Sequence, residues 1–482
     1  MKGLMHPEES IDIRKIGLII GLIIFAMGLV VRPLWEDEVE HLHCAYMMSQ
    51  GSVPYVDFFQ NHPPTLHIIL APFVRCAPRG LALIFGSRIV VTALLVVSLL
   101  TLRSLSLRRN RSWMYIALIS APVYWLNYHL RPDIFMILFL SFHLLFIFKW
   151  MDNLYPTRSA FLSGFFLGGA VTFLPKAGLI AVGYLLFLLI IARHENRRRP
   201  IIATLLGLGI LPCILYAYLW FSRSVNEYLH SVFLLNIGSV TSEYWTYKIH
   251  TLVVNGAILL MWAASLYYQR NTILSKQEAM KKNLLILYSV MALVGFFTAP
   301  FGWQYNLAIW NIMIALYFGL TAGCFPAMKM SKFPALISLT VFMGMLLPPM
   351  YYVLNDLFQV NNSIWRYQQF CFISENSDED RSVFAVAPFH PIKAMDACGI
   401  YHPWQFHFAK QDKTFREKWF NAWSTKLSDS PPVFIDAGYL TTAIAISTDP
   451  GQEHQQVQQF LNMIPYMEKQ YKQRTYFILI ND

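Results

Sequence analysis

The chain has few charged residues, and this scarcity excludes most soluble proteins. Asp, Glu, Lys and Arg make up 14% of the 482 residues, whereas hydrophobic residues make up 56%. Because a soluble domain carries about 25% charged residues, the composition predicts a polytopic membrane protein. The net charge of +10 accompanies no basic–aromatic motif for nucleic acid, so we expect no nucleic-acid partner.

Motifs for soluble cofactors are also missing. The sequence contains no glycine-rich phosphate loop, no H-E-x-x-H motif and no nucleophile elbow, so ATP or nucleotide-sugar binding is not expected. Its six cysteines form no C-x-x-C pair. Cys44 with Cys76, and Cys371 with Cys398, are disulfide candidates if they face an oxidising compartment, and free thiols are the alternative for each pair.

Hydrophobic runs follow one another along the first 353 residues. We count eleven candidate spans, several of them shorter than the roughly 20 residues that a perpendicular helix needs. They are residues 16–31, 81–102, 112–126, 134–150, 160–174, 177–193, 201–221, 251–269, 284–299, 306–323 and 334–353. We predict a transmembrane core over residues 1–353 and a separate domain over residues 354–482.

Loop charges predict the orientation of these spans. Lys and Arg are concentrated on one set of alternate segments, and the richer side is expected to be cytoplasmic. The N-terminus then lies inside, whereas the loop 32–80 and the tail lie outside. Within this loop, Glu38–Gln50 and Pro63–Pro72 are predicted to be helices along the membrane surface.

The tail has a different composition, with short apolar runs between polar segments. We expect strands at Ser382–Pro388, Pro432–Asp436 and Arg474–Ile480, and helices at Phe406–Lys426 and Gln452–Tyr471. The predicted fold class is therefore an all-α polytopic membrane protein with two juxtamembrane helices and a small C-terminal extracytoplasmic α/β domain.

An acidic run follows directly on the first predicted span: Trp35-Glu36-Asp37-Glu38-Val39-Glu40-His41. Carboxylates at a membrane boundary cost desolvation energy, so such a cluster indicates an active site. Repulsion between the neighbouring carboxylates is expected to raise the pKa of Asp37, which suits a general base for a sugar hydroxyl. The alternatives are a solvated turn or a helix N-terminus that favours negative charge.

Further charged residues are predicted to lie on the same side of the membrane. Arg131 and Asp133 flank Pro132 at a helix boundary; Arg131 suits a phosphate, and a structural Arg–Asp pair is the alternative. Lys176 at a hairpin tip suits the phosphate of a membrane-bound donor or snorkels to the interface. Arg88, deeper in its span, is expected to form a structural ion pair.

Three more residues are candidates for the same site. His62, before Pro63 and Pro64, could bind a phosphate or cap the helix that follows, and we favour the cap. Gln304 and Tyr305 could line a substrate pocket, although aromatic belts also place such residues at the membrane boundary.

Together these motifs resemble the first-loop pattern of integral-membrane glycosyltransferases of the GT-C superfamily. Within it, the chain is similar to the branch of the dolichyl-phosphate-mannose protein mannosyltransferases and the aminoarabinose transferases. The resemblance covers residues 16–180. It is carried by Trp35-Glu36-Asp37-Glu38, Gln50 to Phe59, His62-Pro63-Pro64, Arg131-Pro132-Asp133 and Pro175-Lys176.

The resemblance implies a polyprenyl-phosphate-linked sugar as donor and inversion at the anomeric carbon. Asp37 of the Asp37–Glu38 pair would be the base, with Glu38 and Asp133, the second acidic position, as the other catalytic residues. Arg131 and Lys176 would be the phosphate ligands. No cofactor is expected, and this branch generally needs no metal. Further candidates near the phosphate or the substrates are His62, Glu40, Tyr55, Asp57, Gln304 and Tyr305.

The short tail suits acceptors that are themselves lipid-linked. We expect transfer of a hexose to an O-antigen, lipid A or another lipopolysaccharide-type glycan on the outer face of a bacterial inner membrane, in contact with membrane lipids. A protein O-glycosyltransferase is one alternative. The other is a transporter of lipid-linked glycans, which would show deep charges in several spans and paired broken helices.

Overall fold

A computed structural model of the chain describes most of the helical core and parts of the tail. The described residues are 29, 31–78, 80–105, 129–191, 198–235, 242–268, 275–298, 304–321, 354–355, 357–377, 382–385, 391–396, 418, 432, 434–436, 466–471 and 474–479. The candidate spans 112–126 and 334–353, almost all of 16–31, and the predicted helix 406–426 except Lys418 lie outside them.

The first loop folds into two helices, as predicted, with shifted boundaries. Helix α1 spans Glu36–Ser49 and begins with three acidic residues, whose charge is favourable at a helix N-terminus. Helix α2 spans Thr65–Cys76 and contains Pro72. The N-cap residue of α2 is Pro64, so His62, two residues earlier, is not the N-cap residue. The Pro63-Pro64 pair instead precedes the first helical residue.

The remaining core is built from apolar helices. They are α3 Leu81–Ser104, α4 Pro132–Met151, α5 Pro156–Phe173, α6 Gly178–Ile191, α7 Arg198–Phe221, α8 Val225–Leu229, α9 Ser242–Val254, α10 Gly256–Tyr268, α11 Lys276–Thr298 and α12 Ala308–Thr321. Among the described helices, four (α3, α4, α7 and α11) are long and apolar enough to cross a membrane. A fifth crossing results if α9 and α10, bent by 68°, form one span.

Glycines allow α5 and α7 to pack with their backbones in contact. A Cβ atom on Gly168 would lie 2.3 Å from the carbonyl oxygen of Leu208, and one on Gly207 would lie 2.2 Å from that of Phe161. Small residues permit such close approach between membrane helices, where dispersion rather than water exclusion stabilises association. This contact fixes α5, and with it the hairpin tip that carries Lys176.

The tail contains helix α13, Val360–Glu375, and a mixed five-stranded sheet. The strands are β1 Ser382–Phe384, β2 Met395–Asp396, β3 Phe434–Asp436, β4 Tyr466–Tyr471 and β5 Arg474–Leu479. Their order is β2-β1-β3-β5-β4, with β1 parallel to β2 and β3, and β5 antiparallel to β3 and β4. Apolar side chains of α13 pack on β1, β3 and β5.

The three predicted strands coincide with β1, β3 and β5, but the predicted helix 452–471 is wrong at its end. Residues 466–471 form β4 instead. This strand pairs antiparallel with β5 along its whole length. Hairpin pairing with a neighbouring apolar strand thus overrides the local preference of a polar segment.

The tail is attached to the first loop by hydrogen bonds from side chains to main-chain carbonyl oxygens. Arg366 on α13 donates to the carbonyl oxygen of Leu34 at 2.9 Å. Nδ1 of the buried His43 donates to the carbonyl oxygen of Ile392 at 2.8 Å. Lys393 donates to main-chain carbonyls at the C-terminus of α2. The loop that bears the acidic run is therefore held from two sides by the tail.

Candidate active site

A buried ion pair fixes the start of the acidic helix α1. Arg88 of α3 donates from Nε to Oε2 of Glu38 at 2.9 Å, and from Nη2 to Oε1. Both side chains are fully buried. Glu38 Oε1 also accepts the main-chain N–H of Trp35 at 2.9 Å. The structure confirms the ion pair expected for Arg88 and places its partner in the acidic run.

The remaining donors of Arg88 bind the chain that enters the loop. Nη2 donates to the carbonyl oxygen of Pro33 at 3.0 Å, and Nη1 donates to that of Leu29 at 3.0 Å. Nη1 also donates to the hydroxyl of Tyr367 on α13 at 2.7 Å. A guanidinium with this many fixed acceptors is well suited to a buried position.

Four charged residues from distant parts of the chain form a continuous network. Arg131 Nη1 lies 2.5 Å from Oδ2 of Asp37, and Arg131 Nε lies 3.3 Å from Oδ2 of Asp133. Lys176 forms an ion pair with Oδ1 of Asp133 and approaches Oδ1 of Asn306 at 3.4 Å. We call these four charged residues, without Asn306, the charged quartet.

The charges of the quartet alternate along the chain of contacts and sum to zero. Asp37 stands at the outer end, with its side chain 15% exposed, whereas Asp133 is buried between the two cations. Arg131, which contacts Asp37, is a cation. A solvent-reachable carboxylate next to fixed cations is suited to accept a proton close to a phosphate.

Two buried histidines lie beside the quartet. Nδ1 of His41 and Nε2 of His67 form a 3.0 Å hydrogen bond between α1 and α2. The His62 ring centroid lies 5.3 Å from that of His41. Burial lowers the pKa of His67 to about 3. Burial also lowers the pKa of His41, and His67 and His62 lower it further, while Asp37 opposes the change. Both buried rings are therefore neutral near pH 7.

His129, which was not among the residues predicted from the sequence, also borders the acidic run. Its ring stacks on Trp35 with centroids 5.3 Å apart and planes inclined by 16°, and its Nδ1 lies 4.0 Å from Glu38 Oε2. Burial, together with the positive charges of Arg32, Arg88 and Arg131, lowers the pKa of His129. Its position two residues before Arg131 of the Arg-Pro-Asp motif is the one available sequence signal.

Three candidates for the substrate pocket, all in the first loop, form hydrogen bonds within that loop. Glu40 is buried and accepts a hydrogen bond from Gln60 Nε2 at 3.1 Å. Tyr55 is fully buried, and its hydroxyl donates to the carbonyl oxygen of His62 at 2.5 Å. Asp57 is exposed and accepts the main-chain N–H of the preceding turn at 2.6 Å.

Two further candidates can be placed only by their backbone. Gln304 and Tyr305 are the first residues of a 3-10 helix, Gln304–Leu307. The structure describes the backbone of these two residues but not their side chains. Asn306 of the same turn approaches Lys176 at 3.4 Å, so the turn borders the quartet.

Neither a disulfide nor a metal centre is seen in the described part of the chain. No disulfide joins Cys44 to Cys76, and Cys371 has a free thiol, whereas Cys398 is not among the residues described. In the same ranges, no three His, Cys, Asp or Glu side chains are arranged to hold a metal ion.

The helical architecture and the charged first loop together define a GT-C-like fold, and the chain is an integral membrane protein. The fold is similar to ArnT from Cupriavidus metallidurans, both in the crystal structure with bound undecaprenyl phosphate and in the apo state. The TM-scores are 0.58 and 0.53, and the sequence identities 12% and 13%.

These similarities extend over nearly the whole molecule. They cover 97% and 96% of this chain, and 98% and 97% of the two ArnT chains. The resemblance to the GT-C glycosyltransferases that the first-loop motifs indicated is thereby confirmed at the level of fold. No protein-family model and no curated protein sequence matches the chain.

Proposed function

We propose that the chain is a glycosyltransferase that uses a sugar linked to a polyprenyl phosphate as donor. The observation that carries this proposal is the charged quartet, in which a solvent-reachable carboxylate and two cations converge from three separate segments. It occurs on a fold similar to ArnT, a protein crystallised with undecaprenyl phosphate. A membrane-borne donor also accounts for the missing nucleotide-binding motifs.

In the proposed reaction, a hydroxyl of the acceptor attacks the anomeric carbon of the donor sugar. A new carbon–oxygen bond forms as the bond to the phosphate oxygen breaks, with inversion, and the electron pair of that bond leaves with polyprenyl phosphate. Asp37 accepts the hydroxyl proton. Its exposure at the end of the quartet and its contact with Arg131 support this role, because a base must be both ionised and reachable.

We assign binding of the leaving phosphate to Arg131 and Lys176, assisted by His62. Asp133 contacts both cations and is buried, so its proposed role is to hold them at a fixed separation. Preorganised cations stabilise the negative charge that develops on the phosphate oxygens in the transition state.

The buried residues around the quartet are assigned to positioning. Both oxygens of Glu38 are occupied by Arg88, so we propose that Glu38 orients the first turn of α1 rather than transferring a proton. Glu40 and Tyr55 are assigned to the support of the loop, and so is Asp57. Gln304 and Tyr305 remain candidates for the pocket because their turn borders Lys176.

The acceptor and the membrane side are proposed from the attachment of the tail to the first loop. The hydrogen bonds of Arg366 to Leu34 and of His43 to Ile392 support a proposed arrangement in which the C-terminal domain, 354–482, lies beside the site of the core, 1–353. We propose that the site faces the outside of a bacterial inner membrane, with the N-terminus in the cytoplasm. The proposed acceptor is a lipid-linked envelope glycan such as O-antigen or lipid A, and the proposed sugar is a hexose.

The test measures release of polyprenyl phosphate by the purified full-length protein supplied with a polyprenyl-phosphate hexose and envelope glycolipid. We expect Asp37→Asn to lower turnover by about 10²–10⁴-fold, the usual contribution of a general base, with unchanged elution and unfolding temperature. Normal turnover in this variant contradicts the assignment of the base.

A second variant tests the phosphate ligands. Lys176→Ala is expected to raise the donor KM by about 10–100-fold, because a hydrogen bond to a charged group contributes about 1.5–3 kcal/mol. Lys149→Ala, at an exposed position on α4, is the matched control and should leave the KM unchanged. Movement of intact donor across vesicles without release of polyprenyl phosphate would favour the transporter instead.

A further inference from the structure

We propose that Trp35 is the platform on which the donor sugar ring stacks, and thus a specificity-determining residue of the transfer reaction. This inference rests on the proposed function, since it assigns the sugar subsite next to the proposed base. It arises from one anomaly of the first loop. Trp35 is the exposed residue in the otherwise buried or half-buried run 32–38.

The exposure of Trp35 is unusual because the residue is also held rigidly. Its side chain is 38% exposed, although the preceding residues 32–34 are buried. The main-chain N–H is fixed by Glu38 Oε1 at 2.9 Å, and Glu38 is fixed in turn by Arg88. An exposed aromatic ring on a fixed backbone loses little conformational entropy when it receives a ligand.

The indole ring is also fixed from one side. His129 stacks on it in near-parallel geometry, and His129 is buried. Its Nδ1 makes no hydrogen bond to the described protein atoms. Burial and the neighbouring cations lower the pKa of His129, so the supporting ring is uncharged near pH 7. The stack orients the indole while leaving part of its surface accessible.

A sugar ring matches such a surface chemically. One face of a pyranose carries mainly C–H groups, which pack on the electron-rich face of an indole, while the hydroxyl groups at the ring edge remain free for hydrogen bonds. Aromatic faces attract positively polarised groups through their quadrupole. The stack thus recognises the ring itself rather than the lipid or the phosphate.

The platform lies beside the proposed reacting groups. Trp35 immediately precedes helix α1, and Asp37 is in the first turn of that helix. The ring that supports Trp35 is close enough to Asp37 and Arg131 for their charges to act on it. A pyranose on Trp35 would therefore lie near both the proposed base and a proposed phosphate cation.

Anchoring at the lipid–water boundary is the competing role, since tryptophan is enriched there. The chain offers an internal comparison in Trp220, which is 63% exposed near the end of the span α7. Trp220 contacts Tyr216 one turn away on the same helix. An anchoring residue needs no support from a distant segment, whereas Trp35 is stacked on a residue 94 positions further along the chain.

The experiment compares Trp35→Leu, Trp35→Phe and the control Trp220→Leu in the full-length protein. The ligands are a polyprenyl-phosphate hexose and the same polyprenyl phosphate without sugar. Trp35→Leu should weaken binding of the sugar-bearing donor about tenfold, which corresponds to about 1.4 kcal/mol. Its affinity for sugar-free polyprenyl phosphate should not change. Trp35→Phe should retain most of the affinity, and Trp220→Leu all of it.

Two outcomes overturn the proposal. Equal weakening for both ligands assigns Trp35 to the lipid or phosphate, and unchanged affinity for the sugar-bearing donor removes the platform. Binding of both ligands to wild type and to each variant is measured directly by titration calorimetry, which does not depend on the substituted tryptophans. The result therefore stands even where no polyprenyl phosphate is released, which is the separate failure of the proposed glycosyl transfer.

Discussion

Replacement of Glu38 by Gln tests whether the buried Glu38–Arg88 pair organises the site or takes part in the chemistry. The substitution keeps the size of the side chain and removes its charge. Arg88 then remains fully buried and faces a neutral amide, which can accept hydrogen bonds through one oxygen only. An uncompensated cation in a buried position is the dominant consequence.

The expected loss of stability is large. Breaking a buried ion pair by removing one partner costs about 3–5 kcal/mol. The carbonyl oxygens and the Tyr367 hydroxyl that Arg88 also contacts remain, so we expect the lower half of this range. The control is Asp152→Asn. Asp152 is 36% exposed and pairs with Lys281, and loss of such a pair costs about 1 kcal/mol or less.

The assay is the unfolding temperature and the urea midpoint of the purified protein in detergent, followed by turnover of the fraction that remains folded. A double variant, Glu38→Gln with Arg88→Met, removes the unpaired charge. It should recover about 2 kcal/mol relative to the sum of the two single changes, because paired residues are coupled in such cycles.

Activity decides between positioning and proton transfer. If Glu38 only positions α1, the folded fraction of the double variant should turn over within about tenfold of wild type. A double variant that regains stability but stays inactive would refute the positioning role and return Glu38 to the catalytic residues. A stability loss no larger than that of Asp152→Asn would refute the energetic reasoning itself.

Two further predictions concern pH and helix packing. Because the pKa of His67 is lowered to about 3, the unfolded state binds its proton first. The contribution of neutral His67 to the free energy of unfolding is therefore fully present above pH 6.5. It falls towards pH 3 by up to about 1.4 kcal/mol per pH unit. His67→Phe should make the unfolding temperature decline less steeply between pH 7 and pH 5. A decline as steep as that of wild type contradicts the lowered pKa of His67. Gly207→Val should prevent the close contact of α5 and α7 and abolish accumulation of folded protein. Gly209→Val on the same helix, where an added Cβ meets nothing within 4 Å, should be tolerated, and equal behaviour of the two variants would refute the packing contact.

Local chemistry made the helical parts of the fold predictable. Long apolar runs, the proline pair before α2 and the acidic start of α1 are properties of contiguous residues. The strands β1, β3 and β5 are short apolar runs between polar segments. By contrast, β4 is a polar strand that depends on its partner β5, and no local pattern shows such pairing.

Some features of the candidate site could likewise be predicted from the sequence, and others could not. The expectation that Asp37, Arg131, Asp133 and Lys176 would lie close together agrees with their contacts, whereas the side of the membrane that charge counting indicated for them stays a prediction. Charge counting could not show that Arg131 would contact Asp37, since the sequence alone suggested repulsion among the acidic neighbours. The catalytic roles of these residues stay predictions.

Aromatic and histidine residues were the least predictable. Trp35 and His129 are separated by more than 90 residues and meet only after the first loop has folded. The burial of Tyr55 likewise depends on the hydrogen bond of its hydroxyl to the main chain of His62. A residue's type shows what it can bind, but tertiary packing decides whether the residue is reachable.

The hydrogen bonds between the tail and the first loop impose a rule of parity on the membrane topology. Arg366 and Lys393 touch main-chain atoms of the loop, so both segments must occupy the same compartment. The polypeptide between the contacting residues Ala77 and Arg366 must consequently cross the bilayer an even number of times. Gain or loss of a single membrane-spanning helix there would put the tail and the first loop on opposite sides of the membrane. Spanning helices in this part of the chain can therefore be added or removed only in pairs.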